Sequence, residues 1–237
     1  MMSKTLKIGK CQVQLLPLLL TILAFVILLS LGFWQIVRLQ EKELFLSSMK
    51  NNLNNPPIDI KTLSADKLYA KVKMNGHFLT GKNLHLYGRK SMSTEKDGYY
   101  LVSPFQTDDN KIILVVLGWF AGKHKKNIDN IVDDSTEITG VILLGEKTKL
   151  FVLDNDVKNN VWFTLDLTQA SDILGLTLES FYLIMEGNNN QSEIVKSLSI
   201  NNLLNVRNDH LEYAITWFTL AISLAIMFVI YHLPKRN

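Results

Sequence analysis

Residues 15–34 read LLPLLLTILAFVILLSLGFW and residues 213–233 read YAITWFTLAISLAIMFVIYHL. Neither stretch contains Asp, Glu, Lys or Arg. A helix rising about 1.5 Å per residue needs about 20 such residues to cross a hydrocarbon core about 30 Å thick. One charge at mid-bilayer costs about 2.5–3.5 kcal/mol on insertion scales, so two uncharged blocks of this length mark two membrane spans. Pro17 lies near the start of the first, where a missing N–H is tolerated. That apolar run is longer than a signal peptide needs, and no small-x-small cleavage site follows it, so it reads as an uncleaved anchor.

Working outward, the short flanks set the orientation. Lys4, Lys7 and Lys10 precede the first span and Lys235 and Arg236 follow the second, with no acid in either tail. All 22 acidic residues and 20 of the 25 basic ones lie between the spans. By the positive-inside rule both tails face the cytoplasm and the middle is exported. The predicted organisation is a cytoplasmic tail (1–14), a first transmembrane helix (15–34), an exported β-rich domain with linkers (35–209), a second transmembrane helix (210–233) and a second tail (234–237). A mitochondrial presequence would be longer and rich in Arg and Ser, so a bacterial plasma (inner) membrane is the expected location. The whole chain is 47% apolar with a net charge of +3, which excludes a disordered chain. Cys11 is the single cysteine, which excludes a disulfide scaffold and clusters on cysteine ligands.

The middle reads as strands separated by turn residues. Tyr69–Met74 alternates and ends at Asn75-Gly76, a predicted turn or bulge. Leu84–Tyr87, Tyr99–Phe105, the continuous apolar run Ile112–Trp119, Thr136–Leu144, Leu150–Leu153 and Phe181–Met185 follow as strands. Leu165–Leu174 is the best helix candidate. The fold class is therefore a membrane protein in which two transmembrane α-helices flank an exported, mainly antiparallel β (α+β) domain, a small sheet or partly closed barrel. Asn51–Pro57 and the Asn-rich stretch Gly187–Asn205 read as linkers.

No nucleophile elbow, zinc-protease helix, P-loop or dinucleotide fingerprint is present. His77, His85, His124, His210 and His232 include no pair at helical metal-ligand spacing. The sequence therefore predicts no enzyme, and a membrane-anchored peptidase using a Ser/Lys dyad is the remote alternative. The sharper signal lies where both spans meet the exported side. Trp34, Arg38 and Lys42 recur at i, i+4 and i+8 with Gln35 beside them, and His210, Tyr213 and Trp217 share one helical face. Two readings stand. One is an interfacial aromatic and basic belt, with Arg38 snorkelling and His210 bonded to backbone or water. The other is a ligand site, with His210 as an axial ligand to haem iron and Arg38 paired with a propionate. Asp209-x-x-Glu212 is a capping pattern that puts His210 at the first helical position.

Gly32-Phe33-Trp34-Gln35-Ile36-Val37-Arg38 resembles the Gly-x-Trp-Gln-x-x-Arg signature of the surfeit locus protein 1 family. Asn208-Asp209-His210-Leu211-Glu212-Tyr213-Ala214-Ile215-Thr216-Trp217 resembles that family's Asn-x-His-x-x-Tyr-Ala-x-x-Trp signature. Asp97-Gly98-Tyr99, Ser103-Pro104-Phe105 and Leu114–Trp119 are similar to its middle block, except that the usual Arg-Gly-Trp is Leu117-Gly118-Trp119. A proline-containing segment before the last motif is replaced by Asn201-Asn202-Leu203-Leu204-Asn205. The resemblance implies a non-enzymatic assembly factor for cytochrome c oxidase that handles haem a on its way to the core subunit. It makes His210 the candidate axial ligand, with Tyr213, Trp217, Trp34 and Arg38 lining the site. The implied partners are the oxidase core subunit and the lipid bilayer, with no nucleic acid. A scaffold that grips a newly inserted oxidase subunit without binding haem is the alternative.

Overall fold

A computed structural model describes residues 5–8, 11–62, 68–89, 97–128, 136–147, 152–187, 194–200, 204 and 207–232. In chain order the elements are β1 (Thr5–Ile8), β2 (Cys11–Gln14), α1 (Leu15–Asn54), β3 (Ile58–Asp59), β4 (Lys71–Phe78), β5 (Leu84–Arg89), β6 (Asp97–Thr107), β7 (Ile112–Ala121), β8 (Glu137–Leu144), α2 (Leu167–Leu174), β9 (Leu178–Met185) and α3 (His210–His232). Short 3-10 turns lie at Ile60–Thr62 and Gly122–Asn127. The chain divides into two compact units, Met1–Ser48 with Val206–Asn237, and Met49–Asn205.

In the first unit β1 and β2 form an antiparallel hairpin within the predicted tail. Lys4, Lys10 and residues 234–237, which carried part of the orientation argument, lie outside the described residues. The helices α1 and α3 are the two described helices long and apolar enough to cross a membrane. The segment 15–34 is only the first half of α1, which runs unbroken for 40 residues, about 60 Å. It continues because Gln35–Asn54 is rich in Leu, Glu, Lys, Gln and Met, which favour helix whatever their polarity. It stops before Pro56-Pro57, whose rings exclude helical geometry in the residue before them. The predicted linker Asn51–Pro57 is thus helical through Asn54.

The second unit is a mixed sheet ordered β3-β4-β8-β9-β7-β6-β5, with an additional β4–β6 pairing. That extra pairing turns five strands into a ring, β4-β8-β9-β7-β6 and back to β4. Only the β7–β9 contact within the ring is parallel. The ring exists because β6 is long. Its first half pairs with β5, while Phe105–Thr107 pairs with Gly76–Phe78 of β4. The predicted turn or bulge at Asn75-Gly76 is no chain reversal but lies mid-strand, where β4 changes partner from β8 to β6. A Cβ at Gly76 would sit 2.0 Å from the Gln106 carbonyl oxygen, so glycine is there to let two backbones cross.

All five ring strands send side chains inward, among them Val72, Leu101, Phe105, Ile113, Val115, Ile142 and Leu183. The alternate residues Val102, Leu114, Val116 and Tyr182 form a second, outer cluster with Trp162, Leu165 and Ala170 of the segment leading into α2 and of α2 itself. Asp166 caps α2 by accepting from the Thr168 and Gln169 amides, and Gly175 ends it in the left-handed conformation. Leu117, which stands where the resemblance expects arginine, is buried inside the ring, where its apolar chain belongs. The reading of 187–205 as a surface linker fails for its described part. Lys196 bridges Trp119 as an extra strand partner, and Val195 and Ile200 are buried. Leu150 and Phe151 lie outside the described residues, and Val152 and Leu153 are not in a strand.

Candidate functional site

The structure joins the two terminal motifs through one polar contact. The α3 helix opens at His210, with the Tyr213 amide donating to the Asp209 carbonyl (3.1 Å). Asp209 accepts from Arg207 Nε (2.5 Å), which raises the Arg207 guanidinium further above its ordinary value. Lys42 Nζ donates to the Arg207 carbonyl (2.6 Å), tying α1 to the residues that lead into α3. Next to this tie, His210 Nδ1 lies 2.7 Å from Gln35 Oε1. Asn208 Oδ1 is buried with no hydrogen-bond partner among the described residues.

Small residues bring the helices close enough for that bond. A Cβ at Gly32, three residues before Gln35, would stand 2.6 Å from the Phe218 ring, which itself packs edge-on against Phe33 at 5.4 Å. On α3, Ala214 and Ala221 are 2% and 0% exposed. Helix pairs in membranes pack in this way, through small residues with polar groups bonding across the seam.

The predicted site residues fall into two sets. His210 is half-buried in the seam against Gln35. Trp34 and Arg38 lie on an exposed flank of α1, the Arg38 guanidinium carbon 5.8 Å from the Trp34 ring centroid, with Arg38 Nη1 donating to Glu41 Oε2 (2.6 Å). Tyr213 is 54% exposed and Trp217 is half-buried. Gln35 is the site residue that periodicity alone passed over. Its signal was a polar side chain three residues from a glycine on one face of a helix, immediately after the apolar stretch 15–34 ends. Open hollows of about 340 Å³ beside Lys71 and Glu186 and about 300 Å³ beside Lys82 and Ile173 lie in the other unit and hold none of these residues.

Chemically the arrangement offers one imidazole with its partner, exposed aromatic faces and a guanidinium. No group of three His, Cys, Asp or Glu that could hold a metal occurs among the described residues. A bare ion would need such a group, whereas haem brings four nitrogens of its own and asks the protein for an axial ligand. An imidazole beside aromatic faces and a guanidinium is a donor set that a haem could use, through one nitrogen ligand and one propionate partner.

The chain matches the SURF1 family over residues 22–222, which takes in both helical motifs and the whole barrel. It is 53% identical over 221 residues to a SURF1-like protein of Rickettsia bellii, covering 92% of this chain and 90% of that one. It is 50% identical over 214 residues to a SURF1-like protein of Rickettsia prowazekii (90% and 88%), and 26% identical over 215 residues to Surfeit locus protein 1 of Xenopus tropicalis (81% and 67%). By fold and site this is a β-barrel domain flanked by two apolar helices that meet at a Gln–His contact. The chain belongs to the SURF1 family, which is linked to cytochrome c oxidase assembly. Its two apolar helices and its relatives in Rickettsia point to a bacterial membrane protein.

Proposed function

We propose that this chain is a non-enzymatic assembly factor of the bacterial inner membrane that holds haem a on its way to the core subunit of cytochrome c oxidase. Both helices cross the bilayer, both termini are cytoplasmic and the barrel is exported. His210 would supply an imidazole nitrogen to hold the haem. Trp34, Tyr213 and Trp217 would offer it apolar and aromatic faces, and Arg38 would offer N–H donors to a propionate. Bound haem would supply an iron that accepts one imidazole nitrogen. The chain's own residues orient that imidazole and keep one edge of the site apolar. A single protein ligand suits a carrier, because a cofactor that must be passed on cannot be captured too tightly.

The observation that carries this reading is the His210–Gln35 contact. It unites the two motifs of the family resemblance in one seam and leaves the second imidazole nitrogen outside that bond. The test is to purify the full chain from cells that also make haem a and to record its visible spectrum. The wild type should co-purify with haem and His210→Ala should lose most of it. A spectrum that His210→Ala leaves unchanged removes the ligand. Normal haem loading of a shrunken oxidase pool in a deletion strain would support the scaffold role instead.

A further inference from the structure

Gln35 is 8% exposed and is the buried polar side chain of the helical unit among the described residues. Burying an unpaired amide costs several kcal/mol in apolar surroundings, so its partner matters. That partner is His210 Nδ1, and the atom facing it is the amide oxygen, which can only accept. A hydrogen bond to this oxygen requires the proton on Nδ1. A neutral imidazole has one N–H, so fixing it on Nδ1 places the lone pair on Nε2. Free histidine in water prefers the opposite tautomer. Gln35 is itself buried, and in the same helix pair Gly32 meets the Phe218 ring while Ala214 of α3 is buried.

We infer that Gln35 is a positioning residue that locks His210 as the Nδ1–H tautomer and presents Nε2 as its one ligating atom. This rests on the haem-carrier reading for what Nε2 binds, but not for the tautomer itself. A partner on the far nitrogen of a ligating histidine sets the ring's orientation and basicity, and its removal typically costs about 10- to 100-fold in metal affinity. His232 provides an internal reference, because its Nδ1 lies 2.9 Å from the Phe228 carbonyl oxygen, an acceptor only.

The experiment uses the full chain in nanodiscs, with ¹⁵N-labelled histidine and no haem, at a pH where the imidazoles are neutral. His210 should show the Nδ1–H pattern of ¹⁵N shifts, matching His232. Gln35→Met should move His210 toward the Nε2–H pattern, and Gln35→Glu, which keeps an acceptor oxygen, should restore it. Titration with haem should then show about 10- to 100-fold weaker binding for Gln35→Met and recovery in Gln35→Glu. A wild-type His210 in the Nε2–H form, or a tautomer unchanged by Gln35→Met, overturns the inference whatever the haem result. An Nδ1–H tautomer together with haem binding indifferent to His210→Ala would instead overturn the carrier reading and leave the Gln35 lock standing.

Discussion

In the barrel Val72, Leu101, Phe105, Ile113 and Leu183 are completely buried, whereas on the helices Leu16, Leu23, Val26 and Ile230 are each more than half exposed. The same residue types are thus disposed in opposite ways within one chain. An isolated helix satisfies its own backbone, so it can turn aliphatic side chains outward wherever the surroundings are themselves apolar. A sheet unit facing water must bury them. Polar groups invert the comparison. The barrel exposes most of its charges, while the helix pair buries an amide against an imidazole. In apolar surroundings a buried polar contact of that kind is costly to maintain without a use.

The comparison breaks most visibly if the barrel core is emptied. Trp162 is 1% exposed, packs in the outer cluster and donates from Nε1 to Asn160 Oδ1 (3.2 Å). Trp162→Ala should destabilise the domain by about 3–5 kcal/mol, read as loss of protease resistance on a denaturant series. The helical unit should keep its α-helical circular dichroism signal.

Adding one methyl to each unit sharpens the contrast. Gly76→Ala drives a Cβ into the fixed backbone oxygen of Gln106, whereas Gly32→Ala meets the Phe218 ring, which can rotate. The first should cost about 1–3 kcal/mol and the second less than about 1 kcal/mol in thermal unfolding of the full chain in detergent. Equal costs would mean that the seam is as rigid as the ring.

The smallest effect is one of pH. Burial and, to a lesser extent, the Glu146 carboxylate push the Tyr182 hydroxyl up to about 12. The folded barrel therefore holds that proton more tightly than the unfolded chain does. The stabilisation is fully present below pH 10 and is lost as pH rises through about 12. At pH 11 the loss should be on the order of 1 kcal/mol. Tyr182→Phe should flatten that alkaline decline, and no change in the profile would show that Tyr182 is not its source.

Much of this contrast was legible in the sequence. Hydropathy marked both long apolar helices because uncharged runs of that length have few other uses, and strands were read at β5, β6, β7, β8 and β9, although β6 takes in the Asp97-Gly98 read as its turn and β9 begins three residues before Phe181. Asn75-Gly76 misled because the same dipeptide that makes a turn also permits a close backbone crossing, and only the distant Gln106 decides between them. The second half of α1 was hidden because hydropathy reports polarity, whereas helix continuation depends on propensity. Around the site, helical spacing grouped His210 with Tyr213 and Trp217 correctly on one element. Gln35 needed the neighbouring helix to declare itself, since its partner lies 175 residues away.

The ring also dictates an order of events during synthesis. Strand β9 sits between β8 and β7, so until Leu178–Met185 has emerged the other four strands can form only an open sheet with two bare borders. At about 5–20 residues per second, the ribosome needs a few seconds to travel from the end of β8 to the end of β9. Through that interval the nascent domain is a template for mispairing, and the arrival of one late segment converts it into a closed body with no ring border left to recruit a neighbour.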